Sequence, residues 1–390
     1  LITSNRINTP EMAEYVLASG HADMISMARP MLADPLFVEK AKQGRSDEIN
    51  TCIGCNQACL DHIFSMKVAS CLVNPRACFE TELIFKDVSQ AKNIAVVGAG
   101  PAGLSFATYA ADRGHKVTIL EASNQIGGQF NIAKTVPGKE EFYETLRYFK
   151  RKIELQPNIT LKLNHLATFN ELANSNYDEI VVATGVTPRK LEIEGIESPK
   201  VLSYIDVLKN KKQVGKRVAV FGAGGIGFDT AEYLSHEGDS GSLNPEKFYD
   251  EWGIDTTYSN VGGLKTAKVE ESPREIYLLQ RKESSVGGGL GKTTGWIHRT
   301  GLKHRNVKMI AGVGYDKIDE RGLHITVNDH PTFLEVENIV ICAGQESYTA
   351  MYEQLESLGK NVHLIGGAKE AGELDAKRAI RQGAELAVKI

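Results

Sequence analysis

Asn93-Ile94-Ala95-Val96-Val97-Gly98-Ala99-Gly100-Pro101-Ala102-Gly103 is the stretch that decides the fold. An apolar, β-branched run ends in glycines spaced G-x-G-x-x-G, and a run of small apolar residues follows. In a strand–turn–helix unit the first glycine allows the tight turn. The second lets the backbone approach a pyrophosphate, and the third lets helix and strand pack closely. The helix N-terminus then faces the phosphates with its positive end. Glu121 follows the strand Lys116–Leu120, where an acceptor for a ribose hydroxyl belongs. Gly98, Gly100, Pro101, Ala102, Gly103 and Glu121 are therefore candidate nucleotide contacts. Gly127-Gly128-Gln129 lets the chain pass close to a diphosphate, which favours FAD over NAD and adds Gly128 and Gln129 to the set.

The motif recurs. Strand Arg217–Phe221 runs into Gly222-Ala223-Gly224-Gly225-Ile226-Gly227, so Gly222, Gly224, Gly225, Ile226 and Gly227 form a second candidate set. Its second strand is Glu275–Leu279, followed by Gln280-Arg281-Lys282. An acid there would accept from a 2′-hydroxyl and repel a 2′-phosphate, and two cations do the opposite. Arg281 and Lys282 thus point to NADPH, against the alternative of a solvated strand end. Gly291-Lys292-Thr293 imitates the end of a P-loop, but Val286 stands where its first glycine belongs. Gly287-Gly288-Gly289 then lines a nicotinamide cleft or is simply flexible.

Two further strands, Glu179–Thr184 and Asn338–Cys342, end in Thr184-Gly185 and Ala343-Gly344, and Thr184, Gly185 and Gly344 join the candidate contacts. Val362–Ile365 and a helix from about Leu374 to Val388 close the chain. One nucleotide domain is expected inside another: 91–212 with 343–390 for FAD, and 213–342 for NADPH. Segment 238–274, rich in Gly, Ser, Asp and Asn, is too long for an ordinary loop. It reads as an excursion with a short helix near Pro245–Glu251.

Residues 1–48 read strand, helix, strand, helix: Leu1–Thr3, Pro10–Ser19 with Thr9 as N-cap, Met24–Met27, a loop at Ala28-Arg29-Pro30, and Pro35–Gln43. This is too little to close a core and looks like the end of a (β/α)8 barrel. The chain opens on Leu1 without an initiator Met, so a longer N-terminal part is expected before it. Asn5-Arg6 and Ala28-Arg29 lie at the C-terminal ends of the two strands, where such barrels place phosphate sites. That suggests a second flavin, FMN. The alternative is a pair of surface arginines.

Residues 49–90 hold five of the six cysteines and little regular structure. Cys52, Cys55, Cys59 and Cys71 are spaced C-x2-C-x3-C-x11-C, and Gly54 permits a tight loop between the first two. Clustering in a long chain without a secretory signal favours metal ligation over disulfides. Four thiolates suit a [4Fe–4S] cluster or Zn²⁺. Three close cysteines with a remote fourth point to the cluster; structural zinc and inert thiols remain the alternatives. Cys78 is a substitute ligand, and Cys342 reads as a small core hydrophobe. The 390 residues are 42% hydrophobic and 24% charged, with a net charge of −4. No basic excess suggests a nucleic acid partner, and no apolar run approaches the ~20 residues that span a bilayer. A cytoplasmic setting is expected.

Hydride donation from a nicotinamide and one-electron chemistry at a cluster require a group competent in both, and a flavin is one. The combination resembles bacterial NADPH-dependent 2,4-dienoyl-CoA reductases of the old yellow enzyme and trimethylamine dehydrogenase group. The similarity runs through Cys52-Ile-Gly-Cys-Asn-Gln-Ala-Cys59, Gly127-Gly-Gln-Phe-Asn-Ile-Ala-Lys134, Pro137-Gly-Lys-Glu-Glu-Phe-Tyr143 and Gly291-Lys-Thr-Thr-Gly-Trp-Ile-His-Arg299. The resemblance implies electron flow from NADPH to FAD, to [4Fe–4S], to FMN and on to a dienoyl thioester. It also implies that Arg6, Ala28 and Arg29 touch FMN. The family's substrate-protonating residues lie in barrel segments outside this chain, so no catalytic residue is assigned. Many relatives carry an Asp just after the glycines of the C-terminal strand. Here Gly366-Gly367 is followed by Ala368-Lys369, which leaves Asp375 as the candidate near the flavin. An enoate or amine substrate, or an electron-transfer module serving a partner protein, are the competing readings.

Overall fold

Strand Asn93–Val97 is the middle of a five-stranded parallel sheet in the order Val362–Leu364, Glu179–Val182, Asn93–Val97, Lys116–Leu120, Ile159–Lys162. Both faces of its central strands are covered, which is why they are apolar without alternation. Ile94 and Val96 face one hydrophobic cluster with Leu104 and Phe106, while Ala95 and Val97 face another with Leu120 and Leu172. Each buried Val, Leu, Ile or Phe among them contributes roughly 1.5–3 kcal/mol. The computed structural model describes residues 1–372 and 375–390. It divides into one unit of Leu1–Phe130, Glu141–Thr187 and Gln345–Ile390, and a second of Asn131–Glu140 with Pro188–Gly344.

The helix after the first turn, Pro101–Asp112, lies against the C-terminal helix Ala376–Lys389. A Cβ on Gly383 would stand 2.5 Å from the Ala102 carbonyl oxygen and 2.8 Å from Phe106 N. The Ser105 hydroxyl donates to the Ile380 carbonyl at 2.7 Å, fixing the register of the pair. The expected start of the C-terminal helix at Leu374 lies outside the described residues.

The second unit is built on another parallel sheet, in the order Lys308–Ile310, Glu275–Leu279, Arg217–Phe221, Asn338–Ile341, Val201–Ser203. Glu275–Leu279 pairs with Arg217–Phe221 residue for residue, although 238–274 intervenes. Val201–Ser203 pairs with Ile339–Ile341, so the sheet reaches upstream of the expected boundary at 213. Helix Gly225–Ser235 covers one face through Phe228, Ala231 and Leu234. An antiparallel sheet of Val313–Ile318, Leu323–Val327 and His330–Leu334 covers the other, with Tyr315 stacked on Phe221 at 4.0 Å. The excursion does carry a helix, Pro245–Trp252, which the Asn244 side chain caps and Gly253 ends at φ 65°. Buried Arg305 ties the excursion down. It donates to the Glu251 carboxylate at 2.8 Å and to the Ser235 and Glu270 carbonyls at 3.3 Å.

In the first 48 residues Ile2–Thr3 and Met24–Ile25 pair in parallel, and Thr9 caps helix Pro10–Ala18 by accepting from Met12 N–H at 3.3 Å. The loop expected at Ala28-Arg29-Pro30 is instead the start of a short helix, Arg29–Ala33. Proline in a first turn gives up an N–H that has no helical partner anyway. No helix among the described residues is long and apolar enough to cross a membrane.

Gly383 and Gly301 predict opposite outcomes. Gly383→Ala drives a methyl into backbone atoms and should destabilise by about 3 kcal/mol. Gly301→Ala, within helix Gly295–His304 and with only a Glu232 side-chain oxygen at 4.0 Å, should stabilise by about 0.5–1 kcal/mol. Denaturant titration of each variant reads both signs.

Candidate functional site

The two glycine turns are built alike. At Gly98, with φ 106°, a Cβ would lie 2.5 Å from the Ala183 carbonyl oxygen; at Gly222, with φ 95°, it would lie 2.8 Å from that of Cys342. A Cβ on Gly103 would meet the Gly98 carbonyl oxygen at 2.0 Å, and one on Gly227 would meet that of Gly222 at 1.8 Å. Between them Gly100, Gly224 and Gly225 face open space, with nothing within 4 Å of an added Cβ. Each helix begins there, with Pro101 in the first turn of one and half-buried Ile226 in that of the other. Helix N–H groups and room for a diphosphate thus coincide in both turns.

Around the first turn Gly127 N–H donates to the Ala99 carbonyl at 2.8 Å. A Cβ on Gly128 would stand 3.1 Å from Gly100 Cα, which places the second glycine loop against the first, with Gln129 half-buried beside it. The Glu121 carboxylate accepts from Ala99 N–H at 2.7 Å and from Ser123 N–H at 2.8 Å, bracing the turn. Ala102 is enclosed by two residues that the sequence reading missed: a Cβ on Gly366 would lie 2.7 Å from its Cβ, and Gly383 faces its carbonyl. Thr184 donates to the Tyr348 carbonyl at 3.0 Å, and Gly185 holds φ 77° next to Gly367. Asp375 caps the C-terminal helix, accepting from Lys377 N–H at 2.8 Å. Gly344, expected where the first domain resumes, groups with the second unit; its carbonyl accepts from Arg189 N–H at 3.2 Å.

Beyond strand Glu275–Leu279 in the second unit, Arg281 and Lys282 are exposed, and neither has an ion pair among the described residues. Gly291-Lys292-Thr293 precedes helix Gly295–His304 in a turn region with no strand before it, unlike a P-loop. Gly287 sits against Phe228, where a Cβ would come within 2.6 Å of the ring.

Cys52, Cys55, Cys59 and Cys71 line one cavity, together with Arg29, Leu32 and Val73. The loop that carries them has almost no ladder of its own. It is held by side chains: Asn50 N–H donates to Asp34 and the Asn50 amide to the Val73 carbonyl, both at 2.9 Å, while Arg147 donates to the Ile49 carbonyl at 2.6 Å. Gly54 turns the chain at φ 63°. Burial pushes the Cys55 and Cys71 thiols up to about 12 and raises Cys52. The N–H groups of Gly54, Gln57, Val73 and Asn74 face these sulfurs and oppose that rise. Buried thiols met by backbone donors suit a bound cation, which removes the protons. Among the described residues no three His, Cys, Asp or Glu side chains are gathered as a single ion would require. Cys78 is exposed and outside the cavity wall; buried Cys342 lies 3.4 Å from the Thr230 hydroxyl.

Arg6 and Arg29 reach this loop. Arg6 pairs with Glu141 at 2.7 Å, and its guanidinium lies where a Cβ on Gly54 would be. Arg29 donates to the Asn56 and Asn5 side-chain oxygens at 2.8 and 3.2 Å, and Ala28 caps its helix. Asn8 donates to the Cys52 carbonyl and to Glu141. Glu141 carries no sequence signal that would have joined it to residues 6 and 8.

Residues 92–368 match the pyridine nucleotide-disulphide oxidoreductase family. The chain belongs to that family. Its residues 1–48 match the NADH:flavin oxidoreductase / NADH oxidase family. Together the two families imply flavin and NAD(P)H as cofactors of this oxidoreductase. It is 33% identical to a metal reductase of Desulforamulus reducens over 94% of this chain and 54% of the relative. It is 35% identical to an NADH oxidase of Thermoanaerobacter brockii over 96% of this chain and 53% of that one. A solved 2-naphthoyl-CoA reductase matches all of the chain at TM-score 0.86 and 30% identity, with 54% of its own chain covered. The oxidoreductase chain thus spans about half the length of these relatives.

Charge reversal at Arg281 and Lys282 should raise KM for NADPH about a hundredfold and leave KM for NADH within about twofold, since only one dinucleotide carries the 2′-phosphate. Steady-state kinetics with both decides it, and equal losses would remove the assignment.

Proposed function

We propose that this chain is the NADPH-oxidising, flavin- and cluster-bearing part of a reductase acting on a conjugated acyl thioester, with 2,4-dienoyl-CoA of unsaturated fatty-acid β-oxidation as substrate. The observation that carries the reading is the one cavity shared by Cys52, Cys55, Cys59 and Cys71, in the same unit as the Gly98–Gly103 turn. When bound, FAD and FMN supply hydride chemistry and a [4Fe–4S] cluster supplies one-electron transfer between them.

The residues have narrower tasks. The turn at Gly98, Gly100 and Gly103, with Gly128, holds the FAD diphosphate against helix N–H groups. The turn at Gly222, Gly224 and Gly227 does the same for NADPH, with Arg281 and Lys282 on its 2′-phosphate. The four thiolates would hold the cluster, and backbone N–H groups aimed at the Cys52, Cys55 and Cys71 sulfurs would offset negative charge. A cubane takes one thiolate per iron, so its ligands stand further apart than the four that surround a zinc ion at about 2.3 Å each. Arg6, Ala28 and Arg29 form the edge that faces FMN. A thioester substrate is supported by the likeness to the 2-naphthoyl-CoA reductase.

Anaerobically purified protein should hold about four iron and four sulfide per chain. Zinc in their place would remove the cluster reading. The complete enzyme should oxidise NADPH when given a 2,4-dienoyl-CoA; turnover confined to amines would remove the substrate.

A further inference from the structure

Arg281 and Lys282 stand on a bend, 281–284, that lies in no strand or helix. Gln280, the residue before them, is half-buried under that bend. Its side-chain amide donates to the Lys282 carbonyl at 3.0 Å and to the Ser284 carbonyl at 2.7 Å, with the Ser284 hydroxyl at 3.4 Å. An amide nitrogen carries two N–H groups, and the two carbonyls take both. Gly312 N–H also donates to the Lys282 carbonyl, at 3.1 Å. The Gln280 backbone is fixed in turn. Its N–H donates to the Ile310 carbonyl at 2.8 Å, and its carbonyl accepts from Val313 N–H at 3.0 Å. The chain therefore curls around the amide with the Lys282 and Ser284 carbonyls turned inward. Arg281, Lys282, Ser284 and Ser285 are left exposed. The acid of the bend, Glu283, has its stem against Gly312, 3.7 Å from where a Cβ there would stand.

The same strand end is tied to the second glycine turn. The Leu279 carbonyl accepts from Gly222 N–H at 2.9 Å and from the Tyr315 hydroxyl at 3.3 Å. Burial pushes the Tyr315 phenol up to about 12, and the Gly222 N–H and the Arg281 charge oppose that rise. The first glycine of the turn and Arg281 thus face one phenol.

We propose that Gln280 is the positioning residue for the 2′-phosphate of NADPH, holding the bend in the curl that presents Arg281 and Lys282; this rests on the NADPH reading above. Two cations on an unheld loop have the charge for a phosphate but no fixed geometry, and ordering them on binding lowers affinity. With Gln280 in place that ordering is completed on folding. Its N–H groups are spent on the bend's own carbonyls, so its effect runs through the residues it orders.

The test uses the complete holoprotein and two probes that need no redox chemistry, adenosine 2′,5′-bisphosphate and 5′-AMP, titrated by calorimetry. KM and kcat with NADPH and NADH are measured alongside. Gln280→Leu removes both N–H groups; Gln280→Met does so at nearly unchanged length and serves if the first variant does not fold. Either should weaken the bisphosphate and raise KM for NADPH about tenfold, while 5′-AMP affinity, KM for NADH and kcat change by less than about twofold. In an Arg281→Ala, Lys282→Ala background the same change at Gln280 should add less than about twofold, because residues that act through one another are not additive. Unchanged bisphosphate affinity overturns the proposal, as do equal losses for both probes or a full loss repeated in the double-alanine background. Wild-type protein that binds the bisphosphate no more tightly than 5′-AMP would instead bring down the NADPH reading.

Discussion

Each nucleotide turn rests on a glycine pressed against a carbonyl oxygen. Gly103 against Gly98, and Gly227 against Gly222, bring the start of a helix closer to the end of its strand than any side chain would permit. The helix N-terminus is thereby fixed at the carboxyl edge of the parallel sheet, and the middle glycines face open space. Crowding also specifies the neighbour. Gly98 touches the carbonyl of Ala183 and Gly222 that of Cys342, the residues that extend the adjacent strands Glu179–Val182 and Asn338–Ile341. Sheet order and phosphate turn are one constraint expressed twice. In the first unit the constraint extends to the end of the chain, since Gly366 and Gly383 leave just enough room for Ala102.

The cysteine loop solves a different problem. A segment without a ladder must still pair its buried backbone groups. Asn50, Asp34, Arg147 and Asn74 supply the partners, with Asn74 donating to the Leu32 carbonyl at 2.9 Å. Ile53, Leu72, Val73 and Phe130 give the loop a small apolar core beside the thiols. Each bond is worth only about 1 kcal/mol net, but leaving a buried partner unmade costs more. The same burial that holds the loop favours the neutral thiols of Cys55 and Cys71.

The sequence was most readable where one local rule acted alone. Asn93–Val97, Lys116–Leu120, Arg217–Phe221 and Glu275–Leu279 have the expected ends, because β-branched runs buried on both faces are bounded by glycine or charge. The Thr9 cap and the helix begun by Pro245 follow equally local chemistry. Long-range pairing was not readable. The first strand of the sheet of 313–334 does not announce itself, because its buried positions, Val313 and Ile318, fall out of alternation across a register shift between Tyr315 and Lys317. Residues 131–140 join the second unit through Ile132, packed in its core, and Lys139, paired with Asp229 at 2.6 Å. Neither contact leaves a mark in local composition. Gly344 was placed by strand order, yet its own contacts group it with the other unit.

The two arginines show the same limit at a site. Both end short parallel strands, and that position alone gave them one role. Charge depends on what stands opposite, and the partners come from distant segments: Glu141 for Arg6, and Asn56 of the cysteine loop for Arg29. Glu141 also accepts from Asn8, which donates in turn to the Cys52 carbonyl, so the neutralised arginine belongs to the scaffold of the loop. Arg29 has no carboxylate partner among the described residues and lies in the cavity wall. The two arginines are therefore placed differently: Arg6 lies against a carboxylate in the scaffold of the loop, and Arg29 against two amide oxygens.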